Sequence, residues 1–435
     1  MESKRRVLII SYYWPPSGGA GVQRWLKFVK YLRECGWEPV IYTPENPEFP
    51  SLDTSLFRDI PDGIEIVRTP IWEPYRFYKK LIGAGKNERI NAGFLSEKKR
   101  PGLAEKFSIW LRGNFFIPDA RKFWIKPSVR FLLKYLTKNP VDAIVSTGPP
   151  HSMHMIALGV KRKTGIPWLA DFRDPWTNID FYHELMLTGW ADKKHHRQEF
   201  AVLKEADEVV VISRSMRTDF LKIHAREYSV ITNGFDEDDV TGLEVETDKK
   251  FTLSHIGTMV KTRNPEGLWK AISEETIRNP AFASNLEIKL VGSVDYSVNE
   301  SIHIAGLEKY VNRVSYLPHE EVVRVQQQSQ VLLLLINDTP NAKVILPGKF
   351  FEYMASRRPI LCIGPLDGDA AQVIADTESG VVVEKDDVAG IRKAVHELYS
   401  RFENGTTTVK SSGIGKYSRK ELTARLAERL NHICR

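Results

Sequence analysis

Short apolar runs alternate with helical patterns along almost the whole chain. In the first half, residues 7–11, 39–42, 143–146, 168–170 and 208–212 read as strands. Residues 23–35 read as a helix that gathers Trp25, Phe28, Val29 and Leu32 on one face, and residues 152–164 as another. The second half repeats the style. Residues 253–256, 287–291, 314–317, 331–336, 360–363 and 380–383 read as strands, separated by helical patterns that include 265–273, 320–329 and 388–401. Strands alternating with helices predict a parallel sheet covered on both faces. The acidic stretch 236–250 has almost no core-forming residue and reads as a linker, and the polar stretch 404–415 sets off a last helix, 418–434. The predicted class is α/β, with two doubly wound Rossmann-like domains at 1–240 and 241–415 and a terminal helix at 416–435.

In open α/β sheets ligands bind beyond the carboxyl ends of the strands. The most informative such segment is 346–359, Leu-Pro-Gly-Lys-Phe-Phe-Glu-Tyr-Met-Ala-Ser-Arg-Arg-Pro, which lies between two apolar runs. Pro347-Gly348 opens a helix there. A helix start offers unpaired N–H groups and a partial positive charge to a phosphate. Lys349 adds a mobile cation, and Glu352, one turn further in, suits a pair of ribose hydroxyls. The alternative is an ordinary crossover with a surface lysine and a glutamate that favours the helix dipole.

Other strand ends carry chemistry as well. After the first strand, Gly18, Gly19 and Gly21 form a loop whose backbone can approach a ligand closely. It is not a G-x-G-x-x-G loop, so no dinucleotide site is expected. His151 sits at a strand end and a helix start. Asp171-Phe172-Arg173-Asp174-Pro175-Trp176 follows another strand, either as an internal ion pair or as a sugar-hydroxyl site with Trp176 as a platform. Asn233-Gly234 is turn chemistry at a hinge. Gly257-Thr258 also follows a strand, with Lys261 and Arg263 just before a helix, where the dipole disfavours bases unless an anion is bound. Residues 364–371, including Asp369 and Ala370, form a small-residue loop and helix start that would complete a donor pocket.

Composition narrows the class. A chain of 435 residues that is 42% hydrophobic and 27% charged has a real core and room for two domains. Three widely spaced cysteines give neither a disulfide framework nor metal spacing, and a reducing compartment fits best. The apolar run 7–13 is too short for a signal peptide's core, and no stretch approaches the roughly 18 apolar residues that span a bilayer. A cytoplasmic protein is expected. Charge is uneven. Residues 71–130 hold fourteen Lys and Arg against five acids, a surplus larger than the +7 of the whole chain. Aromatics are interleaved with these bases, including Trp72, Tyr75, Phe77, Tyr78, Phe94, Phe107, Trp110, Phe115 and Phe116. Bases with aromatics suit an anionic membrane surface, so the inner membrane face is a candidate location. A solvated insertion packed on its own domain is the alternative. No nucleic-acid module is recognisable, and nucleic acid is not expected.

The ensemble resembles the retaining nucleotide-sugar glycosyltransferases of family 4, as a divergent subgroup. The likeness runs through the Pro-Pro-Ser-Gly-Gly loop, Ile-Thr-Asn-Gly-Phe-Asp, Ile-Gly-Thr-Met with Arg263, and Lys-Phe-Phe-Glu-Tyr-Met-Ala-Ser-Arg-Arg-Pro-Ile. The resemblance implies a GT-B fold, with two Rossmann-like domains facing a central cleft and the terminal helix packing back on the first. It implies a nucleoside diphosphate sugar as co-substrate, no other cofactor and no metal. It implies a glycan or lipid-linked acceptor and a role in surface polysaccharide or glycoconjugate synthesis. On it, Arg263, Lys349 and Glu352 hold the diphosphate and ribose, and His151 lies near the reacting sugar. Gly18, Gly19, Gly257, Thr258, Lys261, Pro347, Gly348, Asp369 and Ala370 complete the donor site. Asp171, Arg173, Asp174 and Trp176 bind the acceptor. Two positions depart from the family pattern: Val344 stands where a first glutamate is usual, and Thr258 where a base is usual. Lys349 or Lys343 is the candidate for the missing charge. A nucleotide-sugar epimerase of the same fold and a non-catalytic nucleotide-binding scaffold are the rival classes.

Overall fold

The computed structural model describes residues 4–49, 52–73, 103–179, 182–241, 245–315 and 317–435. The chain divides into two compact units, Met1–Thr232 with Arg419–Arg435, and Asn233–Ser418.

The first unit holds a parallel seven-stranded sheet in the order β3-β2-β1-β4-β5-β6-β7. Its strands are β1 (Arg5–Ile10), β2 (Trp37–Pro44), β3 (Glu65–Thr69), β4 (Ala143–Gly148), β5 (Trp168–Phe172), β6 (Glu208–Val211) and β7 (Ser229–Val230). Side chains alternate between two cores, as the period of a strand requires. Leu8 and Ile10 enter one with Trp124, Ile156 and Phe172. Val7 and Ile9 enter the other with Trp25, Phe28 and Trp37. Burial on both faces explains why the strands read as unbroken apolar runs. The terminal helix Arg419–Ile433 lays Leu422, Leu426 and Leu430 into that second core, beside the helix Ala20–Leu32.

The second unit holds a parallel six-stranded sheet in the order β10-β9-β8-β11-β12-β13. Its strands are β8 (Phe251–Ile256), β9 (Leu286–Val291), β10 (Val311–Val314), β11 (Val331–Leu335), β12 (Ile360–Ile363) and β13 (Gly380–Val383). Here too Leu333 and Leu335 face one core, and Leu332 and Leu334 the other. In each sheet the strand order reverses once, between β1 and β4 and between β8 and β11. The loops that leave the two strands at such a reversal part from each other, and the crevice they leave is where ligands bind.

Three corrections to the sequence reading share a cause. β3 and β7 were not expected, and β10 lies at Val311–Val314, ahead of the expected 314–317. All three are sheet edges. Asn312 and Arg313 are exposed on β10, so no continuous apolar run marks it. The division between units falls at Thr232 and Asn233, before the acidic stretch expected to be the linker. Phe235 is already part of the second unit's core, where its N–H donates to Tyr417 O at 3.1 Å. In the basic region, Leu103–Phe115 and Lys122–Leu136 are helices. Tyr75, Phe77, Tyr78, Phe94 and the bases from Arg76 to Arg100 lie outside the described residues. Among the described residues no helix is long and apolar enough to cross a membrane.

Candidate functional site

In the second unit the expected donor residues converge at the reversal between β8 and β11. β8 ends at Ile256, and the chain turns at Gly257 with φ 117°, a conformation that residues with a Cβ rarely adopt. The helix Gly348–Ala355 starts after Pro347, which no side chain caps. It is held down by the buried side chains of Phe350, Phe351, Tyr353 and Met354, so its start is fixed. The Tyr353 hydroxyl accepts from Ile256 N at 3.0 Å, which ties this helix to the end of β8.

Lys349 reaches back from that helix start. Its Nζ donates to Ile256 O at 3.0 Å and lies 3.3 Å from His255 Nε2. His255 Nδ1 lies 3.2 Å from Leu333 O. A carbonyl only accepts, so Nδ1 carries the proton and Nε2 accepts from Lys349. A Cβ on Gly257 would stand 3.7 Å from Nζ, which places the ammonium under the glycine turn. Burial pushes the Lys349 ammonium well below its ordinary pKa, and Arg263 pushes the same way, against Glu352. Burial, with Lys349 and Arg263 alongside, likewise keeps His255 neutral.

Arg263 closes the 3-10 turn Lys261–Arg263. Its Nε donates to Asn337 Oδ1 at 2.6 Å, beyond β11, and its Nη1 donates to Thr258 O at 3.0 Å, beyond β8. The guanidinium thus spans the crevice mouth, while Lys261 is exposed. Glu352 accepts from the Nε2 of fully buried Gln326 at 3.1 Å. The helix Asp369–Thr377 begins after Gly368, with Ala370 buried. A Cβ on Gly368 would stand 3.4 Å from Lys343 O, so this loop abuts the turn that carries Lys343 and Val344. Lys343 itself pairs with Asp367 at 2.5 Å on the surface. Of the two candidates for the missing cation, Lys349 is the one held at the crevice. His255, Asn337, Gln326 and Tyr353 were not anticipated. A histidine inside an expected central strand was the available signal for the first.

In the first unit the expected residues gather too, though several have turned inward. Asp171 is fully buried. Burial alone would raise its pKa, but Arg24 at 2.7 Å and the Trp25 indole N–H at 2.7 Å hold it below the ordinary carboxylate value. Thr147 Oγ1 also donates to it, at 2.9 Å. Arg173 donates to Gly21 O at 2.8 Å and to Pro149 O, bracing the glycine loop. The expectation that Asp171 and Arg173 meet acceptor hydroxyls is therefore corrected. Their polar atoms are spent on the fold, apart from Arg173 Nε, which has no hydrogen-bond partner. Asp174 is exposed. Gly18 is buried, and Gly19, with φ 90°, precedes the helix Ala20–Leu32.

His151 stacks on Trp176, with ring centroids 4.5 Å apart and planes 3° apart. Burial drives its pKa well down, helped by His154, His195 and Arg173. His154 is pushed down to about 3, chiefly by burial. A Cβ on Gly148 would meet His154 Nε2 at 2.6 Å and His151 Nδ1 at 3.0 Å, so both nitrogens face the same point over that glycine. Neither has a hydrogen-bond partner. Two neutral rings of this kind can exchange a proton with a hydroxyl, but they cannot neutralise an anion.

Comparison with known proteins gives the same division. The profile of the family described as Glycosyl transferase 4-like domain matches residues 18–234. That of Glycosyl transferases group 1 matches residues 250–401. No curated protein sequence matches significantly. Among solved structures, the chain is similar to a glycosyltransferase from Rickettsia africae ESF-5, with TM-score 0.63 and 14% identity, over 99% of this chain and 98% of that one. It is similar to WaaG, a glycosyltransferase involved in lipopolysaccharide biosynthesis, with TM-score 0.55 and 12% identity, over 97% of this chain and 94% of that one. It is also similar to TarM of S. aureus, in a structure that contains UDP, with TM-score 0.58 and 11% identity, over 98% of this chain and 100% of that one. These likenesses show the fold.

Proposed function

The chain is a glycosyltransferase of the GT-B type, and from that premise we propose that it moves a hexosyl group from a nucleoside diphosphate sugar to a glycan or lipid-linked acceptor, with retention. The observation that carries this reading is the pairing of two cations, Lys349 and Arg263, with an uncapped helix start at Gly348 in one crevice. Such a crevice suits a diphosphate. Glu352, one turn along the same helix, is placed for the ribose hydroxyls. Gly257, Thr258, Lys261, Pro347, Asp369 and Ala370 lie on the surrounding loops. The first unit takes the acceptor, with His151, Trp176 and Asp174 as its candidates. Surface polysaccharide synthesis fits, since WaaG is described as acting in lipopolysaccharide biosynthesis.

In the reaction the bond from the anomeric carbon to the diphosphate oxygen breaks. A bond to the acceptor oxygen forms on the same face, and the acceptor proton passes to the departing phosphate. Lys349, Arg263 and the helix start stabilise the charge that develops on the leaving group. They supply the positive charge that such a step needs, and a metal-independent reaction is proposed on that ground.

The test is incubation with labelled UDP-, GDP- and ADP-sugars, with and without EDTA. Hydrolysis or transfer that survives EDTA and is lost in Arg263→Ala and Glu352→Ala supports the proposal. Formation of an epimer would favour an epimerase of the same fold. Silence across donors and acceptors would favour a binding scaffold.

A further inference from the structure

The first unit carries an aromatic face outside its cores. Trp72 meets Phe123 edge-on at 4.9 Å, and Phe123 meets Phe116 at 6.0 Å. Phe107 lies 5.9 Å from Trp110, and Trp110 lies 5.6 Å from Phe115. Lys122 joins the two rows. Its ammonium is 4.9 Å from the Phe123 ring and 5.4 Å from the Phe116 ring, and it donates to Phe115 O. The ammonium of Lys194 acts on Lys122 and lies 4.9 Å from the Trp190 ring. Asn114 donates to Met186 O and accepts from Thr188 N, which fastens the start of the Trp190 helix to Leu103–Phe115. Trp72 and Trp190 are each 62% exposed, and Phe107, Phe115, Phe123 and Met186 are exposed too. A cluster of this kind on a water-facing surface marks a place where something binds.

Its charge says what. Burial and Lys194 both disfavour the charged form of Lys122. Two acids beside these rings in sequence have turned inward, while Glu184 stays exposed and Asp192 half-buried, paired with Tyr182 and His196. Glu73 is buried against Arg121 and Tyr12, and Asp119 caps the helix Ser152–Thr164 through Ser152 N and Oγ at 2.8 Å. Lys106 and Lys126 are exposed on the same two helices. Rings interleaved with Lys106, Lys122, Lys126 and Lys194 suit a surface that is apolar below and anionic above.

We propose that this face docks the protein on an anionic lipid bilayer, with the rings entering the headgroup region and Lys122 and Lys194 meeting lipid phosphates. The face is continuous with the acceptor candidates. The helix Gly189–Glu205 bears Trp190 and Lys194 on this surface, while its His195 accepts from the Trp176 indole at 3.1 Å. Asp119, three residues before Lys122, caps the helix that begins next to His151. Docking would bring a lipid-linked acceptor to His151. That purpose rests on the function proposed above, but the docking does not.

The test needs no sugar nucleotide. Full-length protein is co-sedimented with phosphatidylglycerol vesicles and with phosphatidylcholine vesicles, and tryptophan emission is followed with brominated phosphatidylglycerol. The wild type should pellet with phosphatidylglycerol, and less so at high salt or with phosphatidylcholine. Lys122→Gln and Lys194→Gln should each weaken binding about fivefold. Trp190→Ser and Phe123→Ser should each weaken it about tenfold. Trp72→Phe and Trp190→Phe should keep binding and lose bromine quenching. Any of three results would overturn the proposal: no sedimentation with phosphatidylglycerol, equal binding in every variant, or self-association through this face without vesicle binding.

Discussion

Lys349→Met removes the one ammonium held under the glycine turn while keeping a chain of similar length. In the wild type that ammonium is fixed by Ile256 O at 3.0 Å and His255 Nε2 at 3.3 Å. Its position therefore requires little reorganisation when a leaving group develops charge. Loss of one such preorganised donor costs about 2.7–4 kcal/mol, or roughly 100- to 1,000-fold in turnover. Stability should move the other way. Burial holds the Lys349 pKa well below 10.5, its ordinary value, so the folded state disfavours the proton that the unfolded state binds. Below the ordinary pKa this coupling destabilises the native protein, and methionine abolishes it. At neutral pH the urea midpoint of Lys349→Met should equal or exceed that of the wild type, while turnover of whichever sugar nucleotide the wild type accepts collapses. UDP titration calorimetry separates donor affinity from chemistry. Turnover within about threefold of wild type, a loss well under 1 kcal/mol, would refute the assignment. A matching fall in stability would show that Lys349 is a structural residue.

Three further outcomes are expected. Nucleoside diphosphate affinity should fall as pH rises, because the ligand favours the charged form of a lysine whose pKa burial holds well below its ordinary value. Above that free pKa the loss approaches about tenfold per pH unit, and Lys349→Arg should flatten the profile measured by calorimetry. Asp171→Asn should cost about 3–5 kcal/mol in urea unfolding, since it leaves the buried Arg24 guanidinium uncompensated; an unchanged midpoint would restore Asp171 as an acceptor ligand. Gly257→Ala should cost about 1–2 kcal/mol of stability from its φ of 117°, read as a lower urea midpoint.

The sheets were legible because their inner strands are buried on both faces. Val331–Leu335 and Ile360–Ile363 read as strands for the reason that they are central ones. β3, β7 and β10 escaped because an edge strand alternates or exposes its polar residues. The crevice at the β8–β11 reversal was legible at Gly257, Arg263 and Lys349, since glycines and bases at strand ends break the local rules. What escaped was pairing across the chain. Nothing in the spacing says that Arg24 reaches Asp171, or that Gln326 meets Glu352. Asp171 and Asp174 look alike in sequence, yet one is sealed inside and the other is exposed.

The two units reverse their strand order in the same way but load the reversal point differently. In the first, Arg173 is turned onto the Gly21 and Pro149 carbonyls, and the other ionisable groups near that point are paired or neutral. Arg24 and Asp171 saturate each other, and the histidines His151 and His154 are held neutral by burial. In the second, Lys349 and Arg263 stand together, with hydrogen bonds to the Ile256 and Thr258 carbonyls, His255 and the Asn337 amide. Burial and the like charge of Arg263 both disfavour the Lys349 ammonium, with Glu352 opposing them, and holding a cation there costs stability. Such a cost persists where a bound anion offsets it. On the proposed function, the same topology would serve a hydroxyl-bearing acceptor in one unit and a diphosphate in the other. That proposal rests on the local placement of charge rather than on the fold the units share.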